Sequence, residues 1–277
     1  MGDIVTMDDL TNQDIVDVLD DAERLVPVAR GDVYLPLLKG KVLANMFFEN
    51  STRTRMSFET AMKRLGGSVL NFTSIGTSVA KGETLYDTMQ MVDGYADVAV
   101  IRHPRQGAAQ YSADAVGIPI LNAGDGAGNH PTQTMLDLFT IRQVHGTLEG
   151  LNVALVGDLR YGRTVHSLSH ALVRFGAELT LVSPSTLKMP VEIVSDLKEH
   201  GAKITETDSL EEQIANADVI YVTRIQKERF PDEDEYVKVA GIYKIEASDL
   251  SGAKKGMIIM HPLPRVDEIS PDVDSTE

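Results

Sequence analysis

Short apolar runs alternate along the chain with longer stretches in which apolar residues recur every three or four positions. The runs are rich in Val, Ile, Leu and Ala, as in strands that are buried on both faces of a parallel sheet. The longer stretches have the spacing of helices that bury one side. This alternation predicts an α/β fold built of doubly wound parallel sheets.

A first series of elements is predicted up to residue 145. The capping box Thr11-Asn12-Gln13-Asp14 begins the first helix. A second helix, which stops at Gly66, is expected to point Met56, Ala61, Met62 and Leu65 inward. Further helices are predicted at 84–94 and 131–145, and the predicted strands are 42–48, 68–72, 97–102 and 118–122.

A second series follows the glycine at position 146. Its predicted strands are 152–157, 178–183, 203–205, 218–223 and 257–260, and its predicted helices are 164–175, 191–200 and 210–216. Two series of similar length, joined by one long helix, predict two α/β domains with an active-site cleft between them. The predicted domains are residues 1–145 and 146–277.

Composition and charge exclude several classes of function. The 277 residues include 43% hydrophobic residues and no cysteine, so a globular protein is expected without a disulfide, a thiolate metal site or a thiol nucleophile. The net charge of −15 argues against nucleic acid and anionic membranes as partners. The start, MGDIVTMDDL, lacks a signal peptide, and no apolar run could span a bilayer. A cytoplasmic location is therefore expected.

The stretch FFENSTRTR, residues 47–55, is the strongest chemical signal. An apolar strand leads directly into a helix whose first turn carries Ser51, Thr52, Arg53, Thr54 and Arg55. Free backbone N–H groups, the helix dipole and two guanidiniums then lie at one point. A serine or threonine alone would more often be a simple helix cap, but two interleaved arginines favour an anion site suited to phosphate.

Two more candidate residues follow predicted strands. Arg102 ends one strand, and His130 lies in the loop after the next. Functional residues of parallel sheets lie at the carboxyl ends of strands, so both are expected in one crevice with Arg53. A single histidine in a loop is usually structural, yet this position favours a hydrogen-bond donor to a carbonyl oxygen.

The second series carries another pair of arginines after strands. The segment GDLRYG invites a dinucleotide-binding interpretation, but Leu159 replaces the central glycine and no acidic residue ends the next strand. Arg163 begins a helix, and Arg224 follows a strand. Two guanidinium forks at one sheet edge suit a dicarboxylate.

Seven strings, in order, carry a resemblance to a known family. They are FFENSTRTR, KGETLYDT, IRHP, GDGAGNHPTQTMLDLFTI, GDLRYGRTVHSL, TRIQKERF and HPLPRVDEI. With them the chain resembles the aspartate/ornithine carbamoyltransferase family, and its aspartate-using members almost from end to end. The resemblance implies transfer of the carbamoyl group of carbamoyl phosphate to the amine of L-aspartate. The products would be phosphate and N-carbamoyl-L-aspartate, an early intermediate of pyrimidine synthesis.

The resemblance also implies a role for each site residue. The carbamoyl-phosphate residues would be Ser51, Thr52, Arg53, Thr54, Arg102, His130 and Gln133, among which Arg53, Thr54, Arg102 and His130 would be catalytic. The aspartate residues would be Lys81, Arg163, Arg224, Gln226, Leu263 and Pro264, the last two through a backbone that the prolines of HPLPR hold rigid. No cofactor or metal is implied, and no general base stands out.

The family's assembly is implied as well. Ser78 and Lys81 would reach the site of a neighbouring subunit in a homotrimer, and a separate regulatory chain is possible. Alternatively, Lys81 has no role in a site and is an ordinary solvent-exposed charge in a loop.

Two alternatives for the function remain open. Ornithine carbamoyltransferases share the STRTR-type loop, but HPLP stands here where that branch typically has HCLP, and Arg224 in TRIQ favours an anionic substrate. A noncatalytic ligand-binding homologue would be expected to have lost a catalytic residue, and all of them are present.

Overall fold

The computed structural model describes residues 2–73, 81–126, 128–225, 239 and 241–276. The chain divides into two compact units, Met1–Phe139 and Thr140–Glu277. Each contains one parallel sheet, so the predicted fold class is confirmed. Within the described residues, no helix is long and apolar enough to cross a membrane.

The first unit is built on a four-stranded parallel sheet. Its strands are β1 (Val42–Phe47), β2 (Ser68–Thr73), β3 (Val98–His103) and β4 (Ile120–Asp125), in the order β2-β1-β3-β4. Its helices are α1 (Asn12–Arg30), α2 (Thr52–Arg64), α3 (Leu85–Asp93), α4 (Ala108–Ala115) and α5 (Pro131–His145). The division between the units falls within α5.

Strand β1 is apolar at every position except Asn45. Ala44 and Met46 belong to the core on one face of the sheet. Leu43 and Phe47 belong to the core on the other face. Both faces of a central parallel strand are covered, so hydrophobic residues are needed at successive positions.

Helix α2 buries a different side from the one predicted. Met62 is buried and Phe58 packs beside it, whereas Met56 is 56% exposed and Ala61 is also exposed. Phe58 and Met62 are four residues apart and share a face, while Met56 is six residues from Met62 and lies well off that face. The prediction that Met56 and Ala61 point inward was wrong.

Helix α4 is absent from the predicted elements. Its sequence, AAQYSADA, has several alanines and only one large apolar side chain, Tyr111, which is exposed. A helix with so few large apolar residues gives almost no periodic signal.

The second unit has a five-stranded parallel sheet. Its strands are β5 (Asn152–Val156), β6 (Glu178–Val182), β7 (Ile204–Thr207), β8 (Val219–Val222) and β9 (Ile258–Met260), in the order β7-β6-β5-β8-β9. Its helices are α6 (Arg163–Arg174), α7 (Val191–Glu199) and α8 (Glu211–Asn216). Short 3-10 helices lie at Met7–Asp9 in the first unit and at Ser185–Leu187, Ala247–Gly252 and Pro271–Ser275 in the second.

The last part of the chain completes the core of the second unit. Tyr243, Ile245 and Ile269 pack against Ala154 and Ile220 of the sheet. Backbone hydrogen bonds join the segment around Ile245 to the segment 268–270. Ile245 N donates to the carbonyl of residue 268, and the N–H of residue 270 donates to Ile245 O, both at 2.9 Å. The segment that follows HPLPR is therefore fixed to the sheet.

Candidate active site

The amino end of α2 has free hydrogen-bonding capacity. Ser51 occupies the position before the first helical residue, with extended backbone, and its side chain makes no capping bond. The first-turn N–H groups therefore keep their capacity for a bound anion. The simple helix-cap interpretation of Ser51 does not describe this structure.

Arg53 and Thr54 lie in the first turn of α2. Arg53 is exposed and Thr54 is half-buried. Within the described part of the chain, the Arg53 guanidinium has no ion pair or hydrogen bond. Its charge adds to the positive end of the helix dipole.

A buried amide fixes this turn to the sheet. Asn45 of β1 is fully buried, and its Nδ2 donates to Arg55 O at 3.2 Å and to Asn71 Oδ1 at 2.9 Å. The residues thus join β1, β2 and the start of α2. The position of the helix end is set by sheet residues and not by the exposed loop.

Arg102 lies beside this helix end in the sheet. It pairs with Phe47 in the register of β1 and β3, and its carbonyl accepts the Phe48 N–H at 2.8 Å. Its side chain is only 13% exposed, and Nη1 donates to Ala123 O at 3.1 Å. Its buried Nε has no hydrogen-bond partner among the described residues. An anionic oxygen would satisfy this group.

Glu49 is a site residue that the sequence reasoning missed. Its Oε1 lies 2.7 Å from Arg102 Nη2. The only sequence signal was its place in FFENSTRTR, since a pairing over 53 positions is not visible in a local pattern. A phosphate bound to Arg102 would bring a second anion to the guanidinium. Glu49 would then have to share the guanidinium with the phosphate or move away.

His130 is nearly buried, with 6% exposure, just before α5. Its carbonyl accepts the Gln133 N–H at 3.0 Å, and its Nδ1 lies 3.2 Å from Thr132 Oγ1. If the threonine hydroxyl donates to Nδ1, the ring proton is on Nε2, and Nε2 is then the donor of a neutral histidine. Gln133 Nε2 donates to Asp137 Oδ1 at 3.0 Å.

The strand order brings these groups to one edge of the first unit. The strands β1, β3 and β4 are neighbours, and the start of α2, Arg102 and the loop to His130 follow their carboxyl ends. Lys81 is exposed ahead of α3. Ser78 lies outside the described residues, so its predicted position stays a prediction.

In the second unit, Arg163 and Arg224 also follow neighbouring strands. Arg163 is the first residue of α6, after β5, and Arg224 lies two residues beyond β8. Both side chains are half-buried. Gln226 lies outside the described residues.

The loop that leads to Arg163 is tightly held. A Cβ on Gly157, whose φ is +111°, would lie 2.4 Å from Thr223 O, so only glycine fits there. Thr223 N in turn donates to Val156 O at 2.8 Å. His166 Nε2 contacts Leu159 O at 2.7 Å from within α6. These contacts fix the strand ends that precede both arginines.

The HPLPR segment follows β9, the neighbour of β8. Leu263 is exposed and adopts a φ of +55°, which is rare for a residue with a branched side chain. Its N–H donates to His261 Nδ1 at 2.8 Å. The proton of a neutral His261 is then on Nε2, facing the carboxylate of Glu268.

Glu268 supports this histidine from the core side. His261 Nε2 and Glu268 Oε1 lie 2.6 Å apart, and both side chains are buried. The contact does not have the geometry of a regular hydrogen bond. Burial alone would raise the pKa of Glu268, but the contact with His261 and bonds from backbone N–H groups lower the pKa to about 2. The carboxylate is therefore charged at neutral pH.

Another histidine at the edge of the first sheet is neutral at physiological pH. Burial and the nearby charge of Arg105 lower the pKa of His103.

Among the described residues, no group of His, Asp or Glu side chains has the arrangement of a metal site.

Both halves of the chain match one family. Residues 2–143 match the family domain described as "Aspartate/ornithine carbamoyltransferase, carbamoyl-P binding domain". Residues 149–277 match the domain described as "Aspartate/ornithine carbamoyltransferase, Asp/Orn binding domain".

Curated relatives are similar over almost their whole length. The aspartate carbamoyltransferase catalytic subunit of Archaeoglobus fulgidus is 55% identical, with 100% of this chain and 92% of the relative covered. The catalytic subunit of Thermococcus kodakarensis is 54% identical, with coverages of 99% and 89%.

Solved structures agree with the fold. The catalytic subunit of M. jannaschii aspartate transcarbamoylase has a TM-score of 0.92 and 51% identity, over 99% of this chain and 90% of that one. The Trypanosoma cruzi aspartate transcarbamoylase in complex with carbamoyl phosphate and aspartate has a TM-score of 0.93 and 42% identity, over 99% and 89%.

Replacement of Glu268 by Gln should change how stability depends on pH. The unfolded carboxylate takes up a proton near its ordinary pKa of 4.5, whereas the folded one does so only near 2. This difference stabilises the folded protein above about pH 4.5, by at most about 3 kcal/mol, and the contribution is lost as the pH falls towards 2.

Urea unfolding between pH 7 and pH 3 measures this effect. The variant should be less stable than the wild type at pH 7, and the difference should shrink below about pH 4.5. Glu211→Gln, a change at an exposed position on α8, controls for the loss of one charge. A difference that stays constant down to pH 3 contradicts the assignment.

Proposed function

The chain belongs to the aspartate/ornithine carbamoyltransferase family, and we propose that its two units divide one reaction between them. The chain is an enzyme that transfers the carbamoyl group of carbamoyl phosphate to the amine of L-aspartate. The products are N-carbamoyl-L-aspartate, an early intermediate of pyrimidine synthesis, and phosphate. In this division, residues 1–145 hold carbamoyl phosphate and residues 146–277 hold aspartate.

One observation carries the first half of the proposal. Arg102 has a buried Nε without a partner among the described residues, and it neighbours a helix start whose Ser51 makes no capping bond. Cations and N–H donors are thus available at one sheet edge, in a chain with a net charge of −15. Ser51, Thr52, Arg53, Thr54 and Arg102 bind the phosphate group in this proposal.

The same edge stabilises the developing charge of the reaction. Attack of a neutral amine on the carbonyl carbon puts negative charge on the carbonyl oxygen, and phosphate then leaves with further charge. His130 Nε2–H, Thr54 and Arg102 donate to the carbonyl oxygen, and Gln133 orients the carbamoyl nitrogen. The chemistry needs no protein nucleophile, and the departing phosphate takes the amine proton.

The second unit binds the nucleophile. Arg163 and Arg224 each take one carboxylate of aspartate with a guanidinium fork, and Gln226 assists them. The carbonyls of Leu263 and Pro264 accept from the amine. The contact of His261 with the Leu263 N–H supports this role, because it holds the strained turn in place.

Aspartate is favoured over ornithine as the acceptor. Two arginines after neighbouring strands attract a dicarboxylate and repel the side-chain cation of ornithine. A noncatalytic ligand-binding role is disfavoured, because every candidate catalytic residue is present in the sequence.

The assembly is proposed to be a cytoplasmic homotrimer that can also bind a separate regulatory chain. Ser78 and Lys81 of one subunit complete the aspartate site of the next. Large apolar side chains exposed on the first unit, among them Tyr34 at 76% and Leu37 at 63%, suit a subunit interface. No nucleic acid or membrane partner is proposed.

Turnover with two amino acids tests the proposed reaction. The purified chain is supplied with carbamoyl phosphate and either L-aspartate or L-ornithine, and the carbamoylated product is measured by mass spectrometry. We expect rapid carbamoylation of aspartate and almost none of ornithine, because a site built for carboxylates leaves the ornithine cation unpaired. Preferential carbamoylation of ornithine would overturn the proposal.

Single arginine variants test the division of substrates. Arg53→Ala should lower kcat by about 10²–10³-fold with little change in stability, because an exposed charge that stabilises the transition state is lost.

Arg224→Ala should raise the aspartate KM and leave carbamoyl-phosphate binding, measured by calorimetry, nearly unchanged. Arg24→Ala, on the exposed side of α1, is the control. Loss of carbamoyl-phosphate binding in Arg224→Ala would contradict the division.

Mixed subunits test the shared site. Lys81→Ala and Arg53→Ala subunits should both have very low activity alone, but some mixed trimers contain one site with Arg53 from one subunit and Lys81 from its neighbour. Recovered activity after subunit exchange is expected. A mixture that remains inactive, despite exchange shown by native mass spectrometry, places Lys81 outside a shared site.

A further inference from the structure

The loops after β3 and β4 interlock at the phosphate edge. Gly126 N donates to His103 O at 2.9 Å, and a Cβ on Gly126, whose φ is +57°, would lie 2.6 Å from Pro104 O. The backbones of the two loops therefore touch. One loop follows Arg102 and the other leads to His130.

Asp125 lies where the two loops meet and is only 3% exposed. Its Oδ2 accepts the Gly107 N–H at 2.8 Å, from the loop after β3. Its Oδ1 accepts the Asn129 N–H at 2.7 Å, next to His130 in the loop after β4. One carboxylate thus binds a backbone N–H of each loop.

A third donor fixes the carboxylate itself. Asn122 Nδ2 lies 3.2 Å from Asp125 Oδ1 and also donates to Val5 O at 2.9 Å. Asn122 Oδ1 accepts the Gly124 N–H at 2.8 Å. The asparagine side chain is thus held by backbone groups on two sides.

Removing any of the donors to Asp125 would be energetically unfavourable. No cation forms an ion pair with it among the described residues, so its buried charge is compensated by N–H groups. Hydrogen bonds to a charged acceptor are stronger than neutral ones, and a missing donor leaves the charge unsatisfied. One buried carboxylate therefore links the two loops.

We propose that Asp125 is a positioning residue that sets His130 relative to Arg102 for the carbamoyl transfer. The inference rests on the proposed roles of His130 and Arg102. Both groups must reach the same carbonyl oxygen, and a displacement of about 1 Å can cost about 10²-fold in rate. Asp125 does not touch the substrate in this proposal and acts through His130.

Asp125→Asn is the first test. Each carboxylate oxygen accepts a backbone N–H, so an amide nitrogen in either place would face a donor. We expect kcat to fall by about 10–100-fold because His130 is misplaced, while the aspartate KM changes little. An unchanged kcat would overturn the proposal.

A double-mutant cycle with His130→Ala separates positioning from general destabilisation. If Asp125 acts through His130, Asp125→Asn should have almost no further effect on kcat when His130 is already alanine. Equal effects in the two backgrounds would show that Asp125 does not act through His130. Absence of any aspartate turnover by the wild type would instead refute the proposed function, so the two failures are distinguishable.

Asp93→Ala is the matched control. Asp93 Oδ1 also accepts two loop N–H groups, those of Gly117 at 2.9 Å and Ile118 at 3.1 Å, but ahead of β4, at the opposite end of that strand from Asp125. Its loss should lower the melting temperature and leave kcat unchanged. A drop in kcat as large as that of Asp125→Asn would contradict a specific role of Asp125.

A second variant covers the case in which Asp125→Asn does not fold. Asn122→Ala removes one donor and leaves the carboxylate in place. We expect a smaller loss of kcat, about tenfold or less, that again disappears in the His130→Ala background. A loss that persists in that background would overturn the proposal.

Discussion

Parallel pairing is the constraint on which the chemistry of this protein depends. It brings the carboxyl ends of all strands in a sheet to one edge, where backbone groups and helix starts are available for ligands. In the first unit this edge collects the start of α2, Arg102 and the loop to His130, although they are far apart in sequence. In the second unit, the same rule brings Arg163 and Arg224 to neighbouring strand ends.

The arginines at the proposed sites stand out in a strongly acidic chain, and the negative charge of both substrates explains why they are there. Both carbamoyl phosphate and aspartate are anions, and a net charge of −15 would repel them if it were spread evenly. Arg102 is held in a largely buried position by Glu49 and by a backbone carbonyl. The ion pair with Glu49 orients the guanidinium, and its Nε has no hydrogen-bond partner among the described residues.

A buried carboxylate behind proposed substrate contacts recurs in both units. Asp125 holds two loops through backbone N–H groups, and Glu268 and His261 hold Leu263 in an unusual conformation. In each case a buried carboxylate lies behind residues that are proposed to meet the substrate. Such supports limit motion of the reacting groups without occupying the space that the substrate needs.

The sequence by itself determined the α/β class, most strands and helices, and the helix start at Ser51 and Arg53 that is proposed to bind an anion, because these depend on local periodicity and on a strand that leads directly into a helix. Tertiary structure alone decided which side of α2 is buried, and so exposed Met56. It also decided that Glu49 pairs with Arg102 and that Asp125 joins two loops. These contacts depend on strand order and register, which bring distant segments together and leave no trace in any short window of the sequence.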